Sequence, residues 1–329
     1  MSVRVAAGAR LHFGFLNLAL SHDRLYGSFG VALDEPRVVV TAERAAAVEC
    51  DHERAREYAA GACELLGVEG ARVTVTEELP VHAGLGSGTQ LALSVLTAVA
   101  RAHGVEPRVR ERAPDLGRGG RSGVGVAAFE DGGFVLDAGH PTGLFTTEPP
   151  AQGEWTVPPV AARHDVPGDW RFVLVLPDAD PGKAGDGETE SMRASVEAAD
   201  PGVADKIAGV VTRRVLPALA SGDVDAFGAA VAEAGRLNGA WYADEQGGVY
   251  RPPVGAVVDS LAGSAAVAGA GQSSWGPAVY AVTDRDRADA AKRAGRRALA
   301  EAGVDGDVHV VRARNEGARV DGARDQQKS

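Results

Sequence analysis

The order of apolar and polar residues predicts that the chain opens with a sheet. The apolar residues of Val3 to Phe15 follow the pattern of a strand, and a second strand is predicted at Phe29 to Leu33. Asp34-Glu35-Pro36 should break this second strand, because proline cannot donate to a strand ladder and restricts the residue before it. An extended pattern resumes at Arg37 to Ala42, so we expect two short strands with an interruption between them.

Helices and strands are also predicted along the rest of the chain. His52 to Leu66 has helical spacing and ends at Gly67, a typical C-cap, and Arg72 to Thr76 is an alternating, β-branched strand. Leu91 to His103 is rich in Ala, Leu and Val and is free of Gly and Pro, which is typical of a helix. The remaining predictions are a hairpin over Val124 to Ala138 that turns at Asp131-Gly132-Gly133, strands at Arg171 to Leu176, Pro277 to Thr283 and Val308 to Val311, and helices at Val203 to Leu219, Val224 to Leu237, Val254 to Leu261 and Arg285 to Ala302.

A proline-rich stretch divides the chain. His140 to Gly168 is poor in periodicity and holds six prolines, so part of it is expected to connect two domains. Pro177 to Glu190 is rich in glycine and acidic residues and is expected to be a mobile loop over the site. We therefore predict an α+β protein with an N-terminal domain at 1–160, a C-terminal domain at 161–315 and a disordered polar tail at 316–329. The active site is expected in the cleft between the domains.

Composition and charge limit the classes of function. The 329 residues are 45% hydrophobic, which is enough to fill a core in each of two domains. No run approaches the roughly 20 apolar residues of a membrane span, and MSVRVAAGARLHF lacks the pattern of a signal peptide, so we expect a cytoplasmic protein. A net charge of −11 argues against binding to nucleic acid or to a membrane surface. Cys50 and Cys63 are expected to be buried free thiols.

The candidate chemistry centres on the glycine loop Pro80 to Gln90, PVHAGLGSGTQ, between a predicted strand and a predicted helix. Its three glycines let the backbone approach a ligand closely, while Ser87 and Thr89 supply hydroxyl groups where the helix begins. The unpaired N–H groups of a helix start suit a phosphate. The spacing is neither that of a Walker loop nor G-x-G-x-x-G. A glycine-rich turn with a good helix cap is the alternative interpretation.

Four further motifs carry polar groups. Arg10-Leu11-His12-Phe13-Gly14 with Asn17, taken alone, is better interpreted as a strand end. Asp23-Arg24-Leu25-Tyr26-Gly27 is better interpreted alone as a solvated loop, although Arg24 could clamp an oxyanion bidentately. Arg118-Gly119-Gly120-Arg121-Ser122-Gly123 combines two guanidinium groups with backbone access, yet a surface turn would look similar. Gly271-Gln272-Ser273-Ser274-Trp275-Gly276 places amide and hydroxyl donors beside a large aromatic, which favours a ligand wall over core packing.

Together these motifs resemble those of the GHMP superfamily of small-molecule kinases, whose middle motif is a proline followed by a glycine/serine loop that opens a helix. Within it the match is closer to the family of beta-ribofuranosylaminobenzene 5'-phosphate synthases, which are not kinases. The resemblance runs from about Arg10 to Thr283 and rests on RLHFGFLNL, RLYGSFGVAL, HAGLGSGTQLAL, LGRGGRSGVGVAAFEDGGFVLD and GQSSWGPAVYAV.

The resemblance implies a reaction and a set of site residues. The reaction condenses 5-phosphoribosyl 1-diphosphate with 4-aminobenzoate or 4-hydroxybenzoate, forms a carbon–carbon glycosidic bond and releases CO2 and diphosphate, towards methanopterin-type carriers. Magnesium is the implied cofactor, with Ser87 as its expected contact. The expected catalytic residues are Asn17, Arg24 and Arg121; the diphosphate residues are Gly84, Leu85, Gly86, Ser87, Gly88, Thr89, Gln90, Gly271, Gln272, Ser273 and Ser274; and the acceptor pocket is His12, Tyr26, Trp241, Tyr242 and Trp275.

Asn17 departs from the family pattern, which usually has an aspartate there, ahead of the arginine that matches Arg24. An amide has no charge and adds two donors, so the residue only orients its neighbours, or the chain uses a different benzoate, or it has lost the activity. Two other functions stay open: an ATP-dependent GHMP kinase acting on a small alcohol, and a non-catalytic metabolite-binding protein. The sequence also leaves open which benzoate is the acceptor and whether the protein is a homodimer.

Overall fold

Two sheets and the helices packed on them make up the α+β fold that the sequence predicts. The structure, a computed structural model, describes residues 2–145, 150–180 and 186–322. The strands in these ranges are β1 (Val3–Asn17), β2 (Arg24–Arg44), β3 (Ala71–Glu77), β4 (Phe134–Asp137), β5 (His140–Pro141), β6 (Val160–His164), β7 (Trp170–Pro177), β8 (Gly269–Gln272), β9 (Val279–Asp284), β10 (Gly306–Val311) and β11 (Arg319–Asp321). The helices are α1 (Glu53–Leu66), α2 (Ser87–Ala102), α3 (Val109–Arg112), α4 (Val124–Glu130), α5 (Asp186–Ala198), α6 (Pro201–Val210), the π-helical turn Val211–Val215, α7 (Leu216–Ser221), α8 (Val224–Trp241), α9 (Ala243–Gln246), α10 (Val254–Ala262) and α11 (Ala288–Ala302), with short 3-10 turns at Pro114–Leu116 and Thr142–Leu144.

The long strands β1 and β2 form the centre of the first sheet. Its order is β11-β1-β2-β4-β6, and β3 and β5 also pair with β2. The second sheet has the order β10-β7-β9-β8. Helix α2 contacts β1, β2 and α1, and its residues from Leu91 to Ala100 are all buried. A helix surrounded in this way can be apolar around its whole circumference, so α2 is a firm support for the loop that precedes it.

Strand β2 is continuous, so the predicted break at Asp34-Glu35-Pro36 is wrong. The register between β1 and β2 shifts between Gly8 and Arg10, which pair with Arg37 and Ala32 respectively. Pro36 lies in the irregular stretch between these pairs. Its missing N–H therefore removes no bond from the β1–β2 ladder, and the chain can stay extended through it.

The predicted hairpin over Val124 to Ala138 is also wrong in its first half, which forms α4. Its residues from Val124 to Phe129 are all buried, and α4 contacts α2, β1, β2 and β4. A helix and a strand are told apart in sequence by the spacing of their polar positions, which has a period of 3.6 in a helix and of 2 in a strand. A short run that is buried on every side has no polar positions, so its sequence does not distinguish the two. The second half, Phe134–Asp137, is the expected strand.

The chain passes from the first sheet to the second between β6 and β7 and later returns to the first sheet at β11. Strand β6 pairs with β4, so a boundary at residue 160 would divide a strand of the first sheet. Strand β11 pairs with β1 through Val320 and Val5, which corrects the expected disorder of the tail from residue 316; residues 323–329 lie outside the described part. Helix α5 begins at Asp186, inside the loop predicted for residues 177–190, of which residues 181–185 are likewise outside the described part.

The other predicted helices and strands are confirmed to within a few residues of their ends. Both cysteines are buried and free, as expected. Among the described helices, none has the length and apolar character needed to cross a membrane.

Candidate active site

The predicted motifs meet at a cleft of about 700 Å³. Its lining comes from β1, β2, the loop that follows the 3-10 turn Pro114–Leu116, α5 and the loop after β8, among other segments. All five motifs contribute to the lining, although they are spread over most of the chain. The contributing motif residues include Arg10, His12, Tyr26, Thr89, Arg118, Arg121, Ser122, Ser274 and Trp275.

The charge of the cleft is opposite to that of the whole chain. Among its described lining residues are four arginines and one carboxylate, Glu154, whereas the chain carries a net charge of −11. Guanidinium groups bind phosphate and carboxylate oxygens in a fixed, often bidentate geometry. A concave surface of one sign also concentrates ligands of the opposite sign. The cleft therefore suits an anion, held by Arg10, Arg118, Arg121 and Arg193.

Two of these arginines lie against the glycine loop. A Cβ atom added at Gly86 would lie 3.1 Å from Cγ of Arg10, and one added at Gly88 would lie 2.9 Å from Nη1 of Arg118. The first turn of α2 also has N–H groups without partners inside the helix, and Thr89 of this turn lines the cleft. Guanidinium groups beside a helix start make an arrangement that suits phosphate oxygens.

Other residues predicted to bind diphosphate make internal contacts instead. The carbonyl oxygen of Gly84 accepts hydrogen bonds from Nη1 of Arg10 at 2.5 Å and from Oγ of Ser273 at 2.7 Å. The side-chain amides of Gln90 and Gln272 donate to backbone carbonyl oxygens at 2.9 and 3.1 Å. Of the predicted diphosphate residues, those outside the cleft lining are Gly84, Leu85, Gly86, Ser87, Gly88, Gln90, Gly271, Gln272 and Ser273.

His12 is buried in the wall of the cleft. Burial, followed by the charge of Arg10, lowers its pKa to about 3, so the imidazole is neutral at pH 7. Among the described residues its Nδ1 atom has no hydrogen-bond partner. His12 also lines a smaller cavity of about 40 Å³ that shares Phe15, Ser274 and Trp275 with the cleft. It therefore offers a polar but uncharged edge to a ligand.

Aromatic side chains form a second part of the lining. Tyr26 is hydrogen-bonded to Arg121; burial raises the pKa of its hydroxyl and Arg121 opposes this shift. Trp275 packs on Tyr242 with ring centroids 4.4 Å apart. Of the predicted acceptor pocket, His12, Tyr26 and Trp275 meet at the cleft, Tyr242 supports Trp275 from the smaller cavity, and Trp241 lines neither.

Asn17 and Arg24, predicted as catalytic, shape a turn outside the cleft lining. The amide of Asn17 donates to the carbonyl oxygens of Ala19 and Arg24 at 2.9 and 2.7 Å, and its Oδ1 accepts from the N–H of Ala19 at 2.8 Å. The guanidinium of Arg24 donates to the carbonyl oxygens of Ala138 and Gly139 at 2.6 and 2.7 Å. Of the three predicted catalytic residues, the structure brings Arg121 alone to the cleft.

The sequence reasoning missed a buried polar chain behind the cleft wall. Asp137 is fully buried and accepts a hydrogen bond from Oγ of Ser28. This Oγ lies 2.6 Å from Oγ of Ser122, which lines the cleft. Burial raises the pKa of Asp137, while its hydrogen bonds act in the opposite direction. The sequence feature that could have indicated this buried chain is the acidic residue at the end of the apolar run FVLD. Arg10 and Arg118 lie in the predicted motifs, which gave these two side chains no role of their own, and Arg193 lies on α5, a helix that the sequence did not predict.

The cleft does not fit a magnesium site built from protein ligands. The described residues include no group of three His, Cys, Asp or Glu side chains placed to hold a metal. Ser87, the expected metal contact, is buried and outside the lining. Magnesium prefers carboxylate and phosphate oxygens, and the described lining supplies one carboxylate among four guanidinium groups.

Two segments of the chain match models of known families. Residues 53–133 match the GHMP kinases N terminal domain, and residues 215–301 match the GHMP kinases C terminal domain. The first segment contains the glycine loop and α4, and the second contains the loop after β8 that carries Trp275.

Relatives match nearly the whole chain. The beta-ribofuranosylphenol 5'-phosphate synthase of Methanothermobacter thermautotrophicus is 34% identical over 325 residues, which cover 94% of this chain and 96% of that one. The enzyme of the same name from Archaeoglobus fulgidus is 33% identical over 325 residues, covering 97% and 99%. Among solved structures, the phosphomevalonate kinase of Streptococcus pneumoniae has a TM-score of 0.66 at 13% identity and covers 95% of this chain and 99% of its own. This last likeness shows the fold.

Proposed function

This chain belongs to the GHMP superfamily, in the enzyme family of the beta-ribofuranosylphenol 5'-phosphate synthases, and we propose that it transfers a phosphoribosyl group to the ring of a para-substituted benzoate. The donor is 5-phosphoribosyl 1-diphosphate, and the product is a C-riboside on the route to methanopterin-type cofactors. The observation that carries the proposal is an arginine-rich cleft whose lining also includes aromatic side chains. The free thiols and the phosphorylated substrate suit a cytoplasmic reaction.

The arginines fit the departure of diphosphate. Breaking the bond between the ribose and the diphosphate leaves an oxocarbenium-like carbon and places negative charge on the leaving oxygens. Fixed cationic donors aimed at that charge stabilise the transition state. Arg10 and Arg118, which lie beside the first turn of α2, are the groups that would hold the diphosphate.

The aromatic part of the cleft fits the acceptor. The ring carbon that carries the carboxylate attacks the ribose carbon, a new carbon–carbon bond forms, and the pair of electrons from the bond to CO2 returns to the ring. Because CO2 leaves in place of a proton, this carbon needs no general base. Tyr26, Phe15 and Trp275 would pack on the ring, and Arg121 or Arg193 would hold its carboxylate until CO2 leaves.

We propose 4-hydroxybenzoate as the first acceptor to test and 4-aminobenzoate as the second. The relatives are named for a ribofuranosylphenol product, which 4-hydroxybenzoate would give. Attack by the ring needs electron density from the para position, and either group supplies it.

Magnesium is proposed to arrive bound to the donor rather than to a site on the protein. The diphosphate supplies the oxygens that Mg²⁺ prefers, and the described lining supplies few. The rate of diphosphate release should then follow the concentration of the magnesium–donor complex.

The test is to incubate the protein with the donor, Mg²⁺ and each of 4-hydroxybenzoate, 4-aminobenzoate and unsubstituted benzoate, and to measure CO2 and diphosphate. Equal amounts of both products with a para-substituted acceptor are expected. A parallel incubation with ATP and homoserine or mevalonate measures ADP. ADP formation without diphosphate release from the donor would replace this proposal with a kinase.

A further inference from the structure

We propose that Ser122, oriented by Ser28 and Asp137, accepts a hydrogen bond from a hydroxyl group of the bound substrate. The inference rests on the proposed function, which supplies two substrates with hydroxyl groups: the ribose of the donor and the para position of 4-hydroxybenzoate. It assigns to the cleft wall a recognition role that no predicted site residue has.

The three side chains form a continuous chain from the core to the cleft. Asp137 and Ser28 are fully buried, and Ser122 is partly exposed in the lining. Ser28 Oγ donates to Oδ2 of Asp137 and lies 2.6 Å from Oγ of Ser122. The same oxygen of Asp137 accepts from the N–H of Gly123 at 2.9 Å, and the other accepts from the N–H of Gly139 at 2.9 Å.

These contacts fix the direction of the hydrogen bonds. Both oxygens of Asp137 face backbone N–H groups, which can only donate, so the carboxyl acts as an acceptor. Ser28 has one proton and gives it to Asp137; the bond between the two hydroxyls must then be donated by Ser122. With its proton directed inwards, Ser122 Oγ presents lone pairs, one near the N–H of Val124 at 3.3 Å and one to the cleft.

An acceptor in this position complements the rest of the cleft. The four arginines of the described lining can only donate hydrogen bonds. They recognise phosphate and carboxylate groups, but they do not distinguish a substrate with a hydroxyl group from one without it. When a bound ligand displaces water from the cleft, a directed acceptor selects for a ligand donor, because a ligand without one leaves the acceptor unpaired. Ser122 therefore discriminates hydroxyl-bearing substrates from their deoxy or methylated analogues.

The test measures the binding of matched ligands, with and without a given hydroxyl group, to the wild-type protein and to its variants. Dissociation constants are measured by calorimetry for wild type and Ser122→Ala with the donor, its 2-deoxy and 3-deoxy analogues, 4-hydroxybenzoate and 4-methoxybenzoate. Ser94→Ala is the matched control, because Ser94 is a fully buried serine of α2 whose hydroxyl has no partner among the described residues. Ser28→Ala is the second variant; it leaves Ser122 in place but frees its proton to point into the cleft.

Ser122→Ala should weaken one hydroxyl-bearing ligand about tenfold and leave the analogue that lacks that hydroxyl unchanged. The affected ligand shows whether the hydroxyl belongs to the ribose or to the benzoate. Ser28→Ala should reduce the same discrimination, and Ser94→Ala should not. Equal effects of Ser122→Ala on ligands with and without the hydroxyl, or no effect on any, would overturn the inference while wild-type binding of the donor keeps the proposed function. Absence of donor binding by the wild-type protein would contradict both the inference about Ser122 and the proposed function.

Discussion

The hydroxyl of Ser273 donates to the carbonyl oxygen of Gly84, 189 residues earlier, at 2.7 Å. The hydroxyl oxygen of Ser273 in turn accepts from the backbone N–H of His12 at 3.1 Å. One fully buried side chain therefore fastens the glycine loop to β1 and to the loop after β8. A Cβ added at Gly84 would lie 2.1 Å from the carbonyl oxygen of Ser273, which is why glycine is required at this contact.

Ser273→Ala should lower the free energy of unfolding by about 1–3 kcal/mol, because the buried N–H of His12 loses its hydrogen bond to Ser273 and the carbonyl oxygen of Gly84 loses one of its two donors. It should also weaken binding of the donor, since the glycine loop loses this hydrogen bond to the loop after β8. Thr283→Val is the matched control; Thr283 of β9 is also fully buried and donates at 2.7 Å to a carbonyl oxygen, that of Ala266 in the turn before β8. Urea unfolding and calorimetry check both variants. Equal loss of donor affinity in the two would contradict a specific role for Ser273.

Gly86→Ala should weaken donor binding by displacing Arg10. Gly86 has a φ of 83°, where a Cβ costs about 1 kcal/mol, and this Cβ would lie 3.1 Å from Cγ of Arg10. Gly67→Ala is the control, because Gly67 has a similar φ of 64° at the end of α1 with no atom within 4 Å of the added Cβ. Both variants should lose similar stability, and only Gly86→Ala should lose donor affinity, about tenfold. Unchanged affinity would mean that the loop is a structural turn.

The sequence predicted most of the architecture because amphipathic patterns record which faces are buried, as in β1 and α1. It failed at α4, where burial on every side removes the pattern, and at Pro36, which lies in a register shift of the β1–β2 pairing and so removes no hydrogen bond from that ladder. Motif proximity was predictable from shared chemistry. The different positions of residues within one motif were not predictable: Ser273 and Ser274 are adjacent, yet Ser273 is fully buried and Ser274 lines the cleft. That difference depends on tertiary contacts, which local residue types do not encode.

Asn17→Asp should destabilise the protein at pH 7 without changing the preferred benzoate. A carboxylate cannot donate to the carbonyl oxygens of Ala19 and Arg24, and it would place a buried negative charge beside them. We expect a loss of about 1–3 kcal/mol at pH 7 that shrinks below pH 4, where a protonated acid can donate once. Thermal unfolding at both pH values and relative rates with the two benzoates test this. A changed acceptor preference in a protein of normal stability would restore a direct role for this position.

The burial of His12 should make stability depend on pH. Its pKa is lowered to about 3, first by burial and then by the charge of Arg10, whereas an imidazole in the unfolded chain titrates near about 6.5. Between these values the unfolded state binds a proton and the folded state does not. The free energy of unfolding should therefore fall as the pH drops below about 6.5, by up to about 1.4 kcal/mol per pH unit, and this contribution is fully present above that pH.

His12→Gln should show a shallower dependence of the free energy of unfolding on pH between pH 6.5 and 4, measured by urea unfolding, since glutamine does not titrate. His82→Gln replaces an exposed histidine and should keep the wild-type slope. Superimposable slopes for wild type and His12→Gln would show that His12 is hydrated or paired in solution.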